Sequence, residues 1–317
     1  MKRKFSYLVL LVLSPFAMNA WSIGTISFTS DRAGNLDIYI IDTNGENLTN
    51  LTNHAADDYS PTWSPDGRLI AYVSERDGNP EIYVMELNTK EQRRLTDHKA
   101  TDIDPAWSPD GRSIAFASNL ARDHAADTDI YTMDMNGKKV QKLTNKGGHN
   151  SNPTWSPDGE WIAFRSTLDG IGGIHVMTAD GEKQRALTQV SATYPAWSPS
   201  GKQICFSSEK LAGVATPTLF TVDIDGNNVK KLTDGTLASE DPSWSPDGQS
   251  IVYVSVENGS QTLYIIKVAG GEPRQLMETV GLDFFPAWGP TAFFVAPGSN
   301  TRLMRWGVLK WTERVNK

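Results

Sequence analysis

Six Pro-x-Trp triplets punctuate the chain, and oxygen-bearing side chains recur at fixed distances in front of them. Three residues before the prolines stand Asp58, Asp102, Asn150, Ala192, Ser239 and Asp283. One residue before stand Ser60, Asp104, Asn152, Tyr194, Asp241 and Phe285, and Asp57 and Glu240 add charge. Carboxylates and amides gathered by repetition have several uses. They bind a hard cation such as Ca²⁺ through oxygen. They set up a negative potential that attracts a basic peptide. Two of them, held at different pKa values, divide the acid and base work of glycan cleavage. The same side chains also cap turns by accepting backbone hydrogen bonds.

A crowded acidic ring is costly unless water, a cation or a partner's basic group compensates it. No dense ligand loop of the EF-hand kind is present, which makes Ca²⁺ the weaker of these compensating charges. The expectation is a partner-binding channel mouth built from Asp58, Asp102, Asp104, Asn150, Asn152, Glu240, Asp241 and Asp283. No member is singled out as catalytic. His54 and His98 sit seven residues before successive prolines, and His149 four before its own. Imidazoles near carboxylates are metal-ligand types, but these are expected to be loop histidines on a repetitive surface. The SPDG aspartates, such as Asp110, read as turn residues.

These side chains need a repeated framework to bring them together. The tryptophans Trp63, Trp107, Trp155, Trp197, Trp244 and Trp288 are 44, 48, 42, 47 and 44 residues apart. Each unit reads as four short strands. In one of them, PAWS leads through the turn SPDG to SIAFAS, a variable loop leads to DIYTMDM, and NG turns the chain into KVQKLT. Branched and aromatic runs separated by Pro-Asp-Gly and Asn-Gly turns are antiparallel hairpin signals. Repeats of ~40 to 50 residues with four strands are those of a β-propeller.

The repeats open at residue 25 with the second, third and fourth strands of a unit and close on a lone FPAWGP. The expected fold is therefore all-β, a six-bladed propeller over 23–290, with the C-terminal strand completing the first blade. Such closure removes exposed sheet edges. Between Pro and Trp the residue is always small: Thr62, Ala106, Thr154, Ala196, Ser243 and Ala287. Each Trp is expected to pack over the small-residue face of the next blade.

The segment MKRKFSYLVLLVLSPFAMNAWSIG has a basic start, a short apolar run and small residues after it. That layout is a signal peptide over 1–22, and the run is too short for a spanning helix. The net charge of −7 falls to about −10 once that segment is removed, a poor match for nucleic acid. Cys205, the single cysteine, stands where sister repeats carry Ala71, Ala115, Ala163 and Val252. It reads as a small buried hydrophobe. The tail 291–317 lies outside the repeats and is basic, with Trp306 and Trp311.

RRLTDHKATDIDPAWSPDGRSIAFAS together with ERDGNPEIYVM closely resembles the repeats of TolB-type propellers, over roughly residues 25–290. The resemblance implies a periplasmic protein of the Tol–Pal envelope system, whose propeller binds the peptidoglycan-associated lipoprotein. It also implies an N-terminal α/β domain, for which this sequence leaves no room between leader and first blade. The expected function is a non-enzymatic, monomeric, exported protein-binding scaffold, with an envelope lipoprotein as partner. The rival is a propeller lyase or hydrolase acting on envelope or extracellular glycans. A prolyl-oligopeptidase arrangement would need a Gly-x-Ser-x-Gly elbow, which the sequence lacks.

Overall fold

The computed structural model describes residues 24–121, 127–211, 213, 216–257, 259–278 and 280–290. The expected leader over 1–22 and the tail over 291–317 lie outside them. Among the described residues no helix is long and apolar enough to cross a membrane.

Every strand predicted from branched and aromatic runs forms, and the strands group into six antiparallel four-stranded sheets. Blade 2 shows the pattern, with strands Asp58–Trp63, Leu69–Ser74, Glu81–Glu86 and Gln92–Arg94 in that order. Blades 3 to 6 begin with innermost strands Asp102–Trp107, Asn150–Trp155, Thr193–Trp197 and Ala238–Trp244. Blade 1 is assembled from both ends of the propeller. Asp283–Trp288 pairs antiparallel with Thr25–Ser30, Ile26 opposite Trp288 and Ser30 opposite Asp283. The ring is thus closed as the repeat arithmetic required.

The core lies between blades, because a four-stranded sheet has two apolar faces and only its neighbours can cover them. Ala71, Val73 and Val84 of blade 2 pack with Trp107, Ile114 and Phe116 of blade 3. At the closure, Val252, Val254 and Leu263 of blade 6 pack with Ile26, Phe28 and Tyr39 of blade 1. Cys205 is fully buried in such a layer, and burial pushes its thiol pKa up.

The tryptophans are core and interblade residues, but they reach the preceding blade and not the next. Trp63 donates its indole N–H to Ala287 O at 3.1 Å, Trp155 to Ala106 O at 3.2 Å, Trp197 to Thr154 O at 3.2 Å and Trp244 to Ala196 O at 3.0 Å. The small residue of the earlier blade leaves its carbonyl open to the indole. Alternation along the strand identified the two faces but could not say which neighbour each one meets.

Each innermost strand also carries a bulge that its sequence did not announce. The pairing register slips between Tyr59 and Thr62 in blade 2, and at the same point in the other five blades. The pre-proline residue sits at the slip with left-handed φ: Ser60 54°, Asp104 55°, Asn152 51°, Tyr194 54°, Asp241 50° and Phe285 50°. Non-glycine residues pay a steric cost there, least for Asn and Asp and most for bulky side chains. Six-fold repetition of this strained turn bends the strands around the axis and fixes what faces the channel.

Candidate functional site: the channel and the blade-edge carboxylates

The six left-handed residues and their following prolines line one cavity of about 140 Å³ on the axis. One part of its wall is polar, from Ser60, Asp104 and Asn152; another is aromatic, from Tyr194 and Phe285, whose rings lie 6.4 Å apart. Asp241 comes from the blade between those two aromatics. The carboxylates also tie neighbouring blades together. Asn152 N–H donates to Asp104 at 3.0 Å, and Phe285 N–H donates to Asp241 at 3.3 Å.

Burial raises the pKa of both acids, because a carboxylate loses its hydration in the channel. Asp104 is pushed up to about 6 against the opposing backbone hydrogen bond from Asn152. Asp241 is pushed up to about 8, mainly by burial and further by the charges of Glu240 and Asp104. The two acids are therefore unequal, with Asp241 keeping its proton to higher pH than Asp104. Glu240 is half-buried beside Asp241, and burial, then Glu209, raise its pKa too.

The single expected ring of acids thus separates into two. Asp104, Asn152 and Asp241 line the cavity. Asp58, Asp102, Asn150 and Asp283 do not; all four are fully buried at the start of their innermost strands. Three of these places have local charge partners. Asp58 is held by Arg76 at 3.0 Å and Asp283 by Arg32 at 2.7 Å. Asn150 donates to Asp129 at 3.3 Å, and Asp129 pairs with Lys142 at 2.7 Å. The i−3 position is thus a blade-edge site inside the protein. Strand alternation alone puts positions −3 and −1 on one side, and the intervening bulge is what undoes that inference.

The histidines differ among themselves. His54 accepts the Ala56 N–H at its Nδ1 on an exposed loop. His149 makes contacts to Thr128 and Thr167. His98 is a partly exposed loop residue, its side chain 29% exposed, whose Nε2 lies 3.3 Å from fully buried Asp102. Glu81, outside the expected site residues, joins it there. The signal was present, since Asp37, Glu81 and Asp129 all open the third strand of a blade. Asp110 behaves as a turn residue, accepting from Ser108 and from Arg112 N–H, and these bonds lower its pKa.

A family model described as TolB beta propeller domain matches residues 19–119 and 120–292. The crystal structure of TolB from Acinetobacter baumannii superposes with a TM-score of 0.75 at 28% identity, over 84% of this chain and 67% of that one. The Tol-Pal system protein TolB of Coxiella burnetii is 38% identical over 77 residues, 24% of this chain and 17% of the relative. Dipeptidyl-peptidase 5 of Porphyromonas endodontalis is 37% identical over 87 residues, 26% of this chain and 13% of the relative. These matches span less than a fifth of either curated relative's length.

Proposed function

The chain belongs to the TolB β-propeller family, and on that premise we propose that it is a non-enzymatic, exported binding protein of the bacterial envelope. Its partner is a protein, an envelope lipoprotein of the peptidoglycan-associated type, received at the channel mouth by a single monomeric propeller. The observation that carries this reading is the strained axial ring. Tyr194 and Phe285 hold left-handed φ values of 54° and 50°, a conformation that costs bulky residues of order 1–3 kcal/mol each and persists where function uses it. The aromatic wall supplies apolar contact and ring faces for a cation, and Asp104 supplies charge.

Size argues the same way. A cavity of about 140 Å³ accepts one side chain of a docking loop, whereas small-molecule pockets run from roughly 300 Å³ upward. Nucleic acid is disfavoured by the acidic balance. The test is calorimetric titration of the full chain with the soluble domain of the envelope lipoprotein from the same organism. Saturable binding that weakens in Tyr194→Ala and Asp104→Asn is expected. Failure of the wild-type chain to bind, with the fold intact by circular dichroism, would overturn the proposal.

A second reading rests on the unequal pKa values of Asp104 and Asp241, about 6 and about 8. Two carboxyl groups so divided are the requirement of a glycan-cleaving acid and base. Turnover of envelope glycans that vanishes in both Asp104→Asn and Asp241→Asn would establish that alternative.

A further inference from the structure

The interface between blades 2 and 3 holds a cluster that the partner-binding reading does not use. Glu81 opens the third strand of blade 2, Asp102 opens the innermost strand of blade 3, and His98 lies on the loop joining the two blades. One ligand atom from each falls within 4.8 Å of the others. Glu81 and Asp102 are both fully buried.

The contrast with sister blades is what gives the cluster meaning. In blades 1 and 2 the residue two places after the second strand's final serine is Arg32 or Arg76. Each guanidinium turns back onto that serine, at 2.9 Å and 2.7 Å, and reaches the aspartate of its innermost strand. In blade 3 the same place is Leu120. Its backbone N–H meets Ser118 Oγ at 3.1 Å, so the register is kept. Its side chain is 44% exposed. Asp102 has therefore lost the cation that Asp58 and Asp283 possess. Its oxygens meet only the Ser118 and Thr96 hydroxyls, which lower its pKa without closing a well-formed hydrogen bond, and His98 Nε2 at 3.3 Å, while Glu81 Oε2 and His98 Nδ1 are unpartnered. Glu81 uses only Oε1, which accepts from Arg94 at 2.7 Å, Asn79 at 3.0 Å and His98 N–H at 3.2 Å. Arg94 pairs with Glu81 at 2.7 Å and is shared with Asp77 and Asp97, and it makes no contact with Asp102.

A buried carboxylate is costly unless a cation pairs it, and of the two here only Glu81 has an arginine. The neighbours on every side are accounted for: Arg94 and Asn79 on Glu81, His98 and the nearby Ser118 and Thr96 hydroxyls around Asp102. Of these only His98, at 3.3 Å, offers Asp102 a group that can carry positive charge, and no arginine reaches it as in blades 1 and 2.

We infer that Glu81, His98 and Asp102 form a divalent-cation site that clamps blade 2 to blade 3, with a first-row ion of the Zn²⁺ or Mn²⁺ kind as ligand. One imidazole nitrogen and two carboxylates are donors for such an ion, whereas an all-oxygen set would suit Ca²⁺. Zn²⁺ sits about 2 Å from each donor, which spaces its ligands roughly 3 to 4 Å apart. The three donors, within 4.8 Å of one another, stand near that spacing. Three protein donors leave one position for water. The ion stands where an arginine stands in blades 1 and 2, and the clamp has the same structural purpose.

The experiment is equilibrium dialysis of chelator-treated full-length protein against Zn²⁺, and in parallel Mn²⁺ and Ca²⁺, with melting temperature recorded. Wild type is expected to take up one equivalent of Zn²⁺ or Mn²⁺ and to melt higher with it. His98→Gln should weaken binding by at least about tenfold, as loss of a ligand or its support does in other metal sites. Leu120→Arg is the decisive variant, because it changes an exposed residue and restores the partner found in sister blades. It should fold, melt higher than the metal-free wild type, and lose the site. Uptake that is equal in wild type and Leu120→Arg would overturn the inference, as would no stoichiometric uptake of Zn²⁺ or Mn²⁺ by wild type. Uptake of Ca²⁺ alone would overturn it too, and would point to the channel instead.

Discussion

Asp241→Asn isolates the energetic consequence of the channel. Asp241 is buried on the axis and its pKa is pushed up to about 8, whereas an unfolded aspartate titrates near 3.9. Below pH 4 both states carry the proton, and the buried acid costs nothing through ionisation. Between about pH 4 and 8 the unfolded chain releases that proton while the folded chain keeps it. The unfolded state then binds fewer protons, so stability falls as pH rises across this window. The penalty at pH 7 is about three pH units at 1.36 kcal/mol each, at most about 4 kcal/mol. Asparagine removes the titration but keeps an oxygen to accept the Phe285 N–H now bound at 3.3 Å. The variant should therefore melt higher than wild type by several degrees at pH 7, at roughly 2 °C per kcal/mol. The difference should shrink toward zero at pH 4. Differential scanning calorimetry of both proteins at constant ionic strength from pH 4 to 8 measures it. A difference in melting temperature that does not change with pH, or a variant that is less stable at pH 8, would refute the reasoning.

Three other outcomes follow from the ring. Trp107→Ala removes a 7%-exposed side chain from the interface between blades 2 and 3, and denaturant titration should show a loss of about 3–5 kcal/mol. Deleting 284–317 strips blade 1 of its innermost strand and bares the edge of Thr25–Ser30; light scattering should report aggregation or calorimetry a broadened transition. Cys205, fully buried with a raised thiol pKa, should react with a thiol reagent no faster than the protein unfolds; rapid labelling of the native chain would contradict its placement.

The fold was legible because it depends on repetition and alternation, which a single sequence carries openly. Six Pro-x-Trp strands, their spacing and the orphan FPAWGP were sufficient to count blades and to place the closing strand. The direction of each Trp was not legible, since neighbouring blades are nearly identical in pattern and a strand's two faces look alike from either side. The site was half legible for a more specific reason. Residues −3 and −1 to each proline alternate as they would on a regular strand, and only the bulge sends Asp104 to the axis and Asp102 into the blade edge. A pre-proline residue is ordinarily pushed toward extended backbone, so nothing in Asp104-Pro105 announces φ of 55°.

Departures from a repeat carry more chemical information than the repeat itself. Arg32 and Arg76 answer Asp283 and Asp58, and so explain why buried carboxylates are tolerated at two blade edges. Leu120 breaks that rule at Asp102 while the backbone around it stays in register. A chain optimised only for stability would have kept the arginine or replaced the aspartate, since removing one partner of a buried pair is the most destabilising of the available changes. Here the aspartate persists, His98, the counterpart of His54, lies within 3.3 Å of it, and a second carboxylate, one methylene longer than Asp37 in the equivalent place, lies beside them. Two departures, leucine at 120 and glutamate at 81, flank a histidine that the preceding repeat also carries as His54, and together they replace a covalently attached charge with donors for a free one. Such an exchange makes the union of blades 2 and 3 depend on the surrounding metal concentration, while the unions that use Arg32 and Arg76 do not.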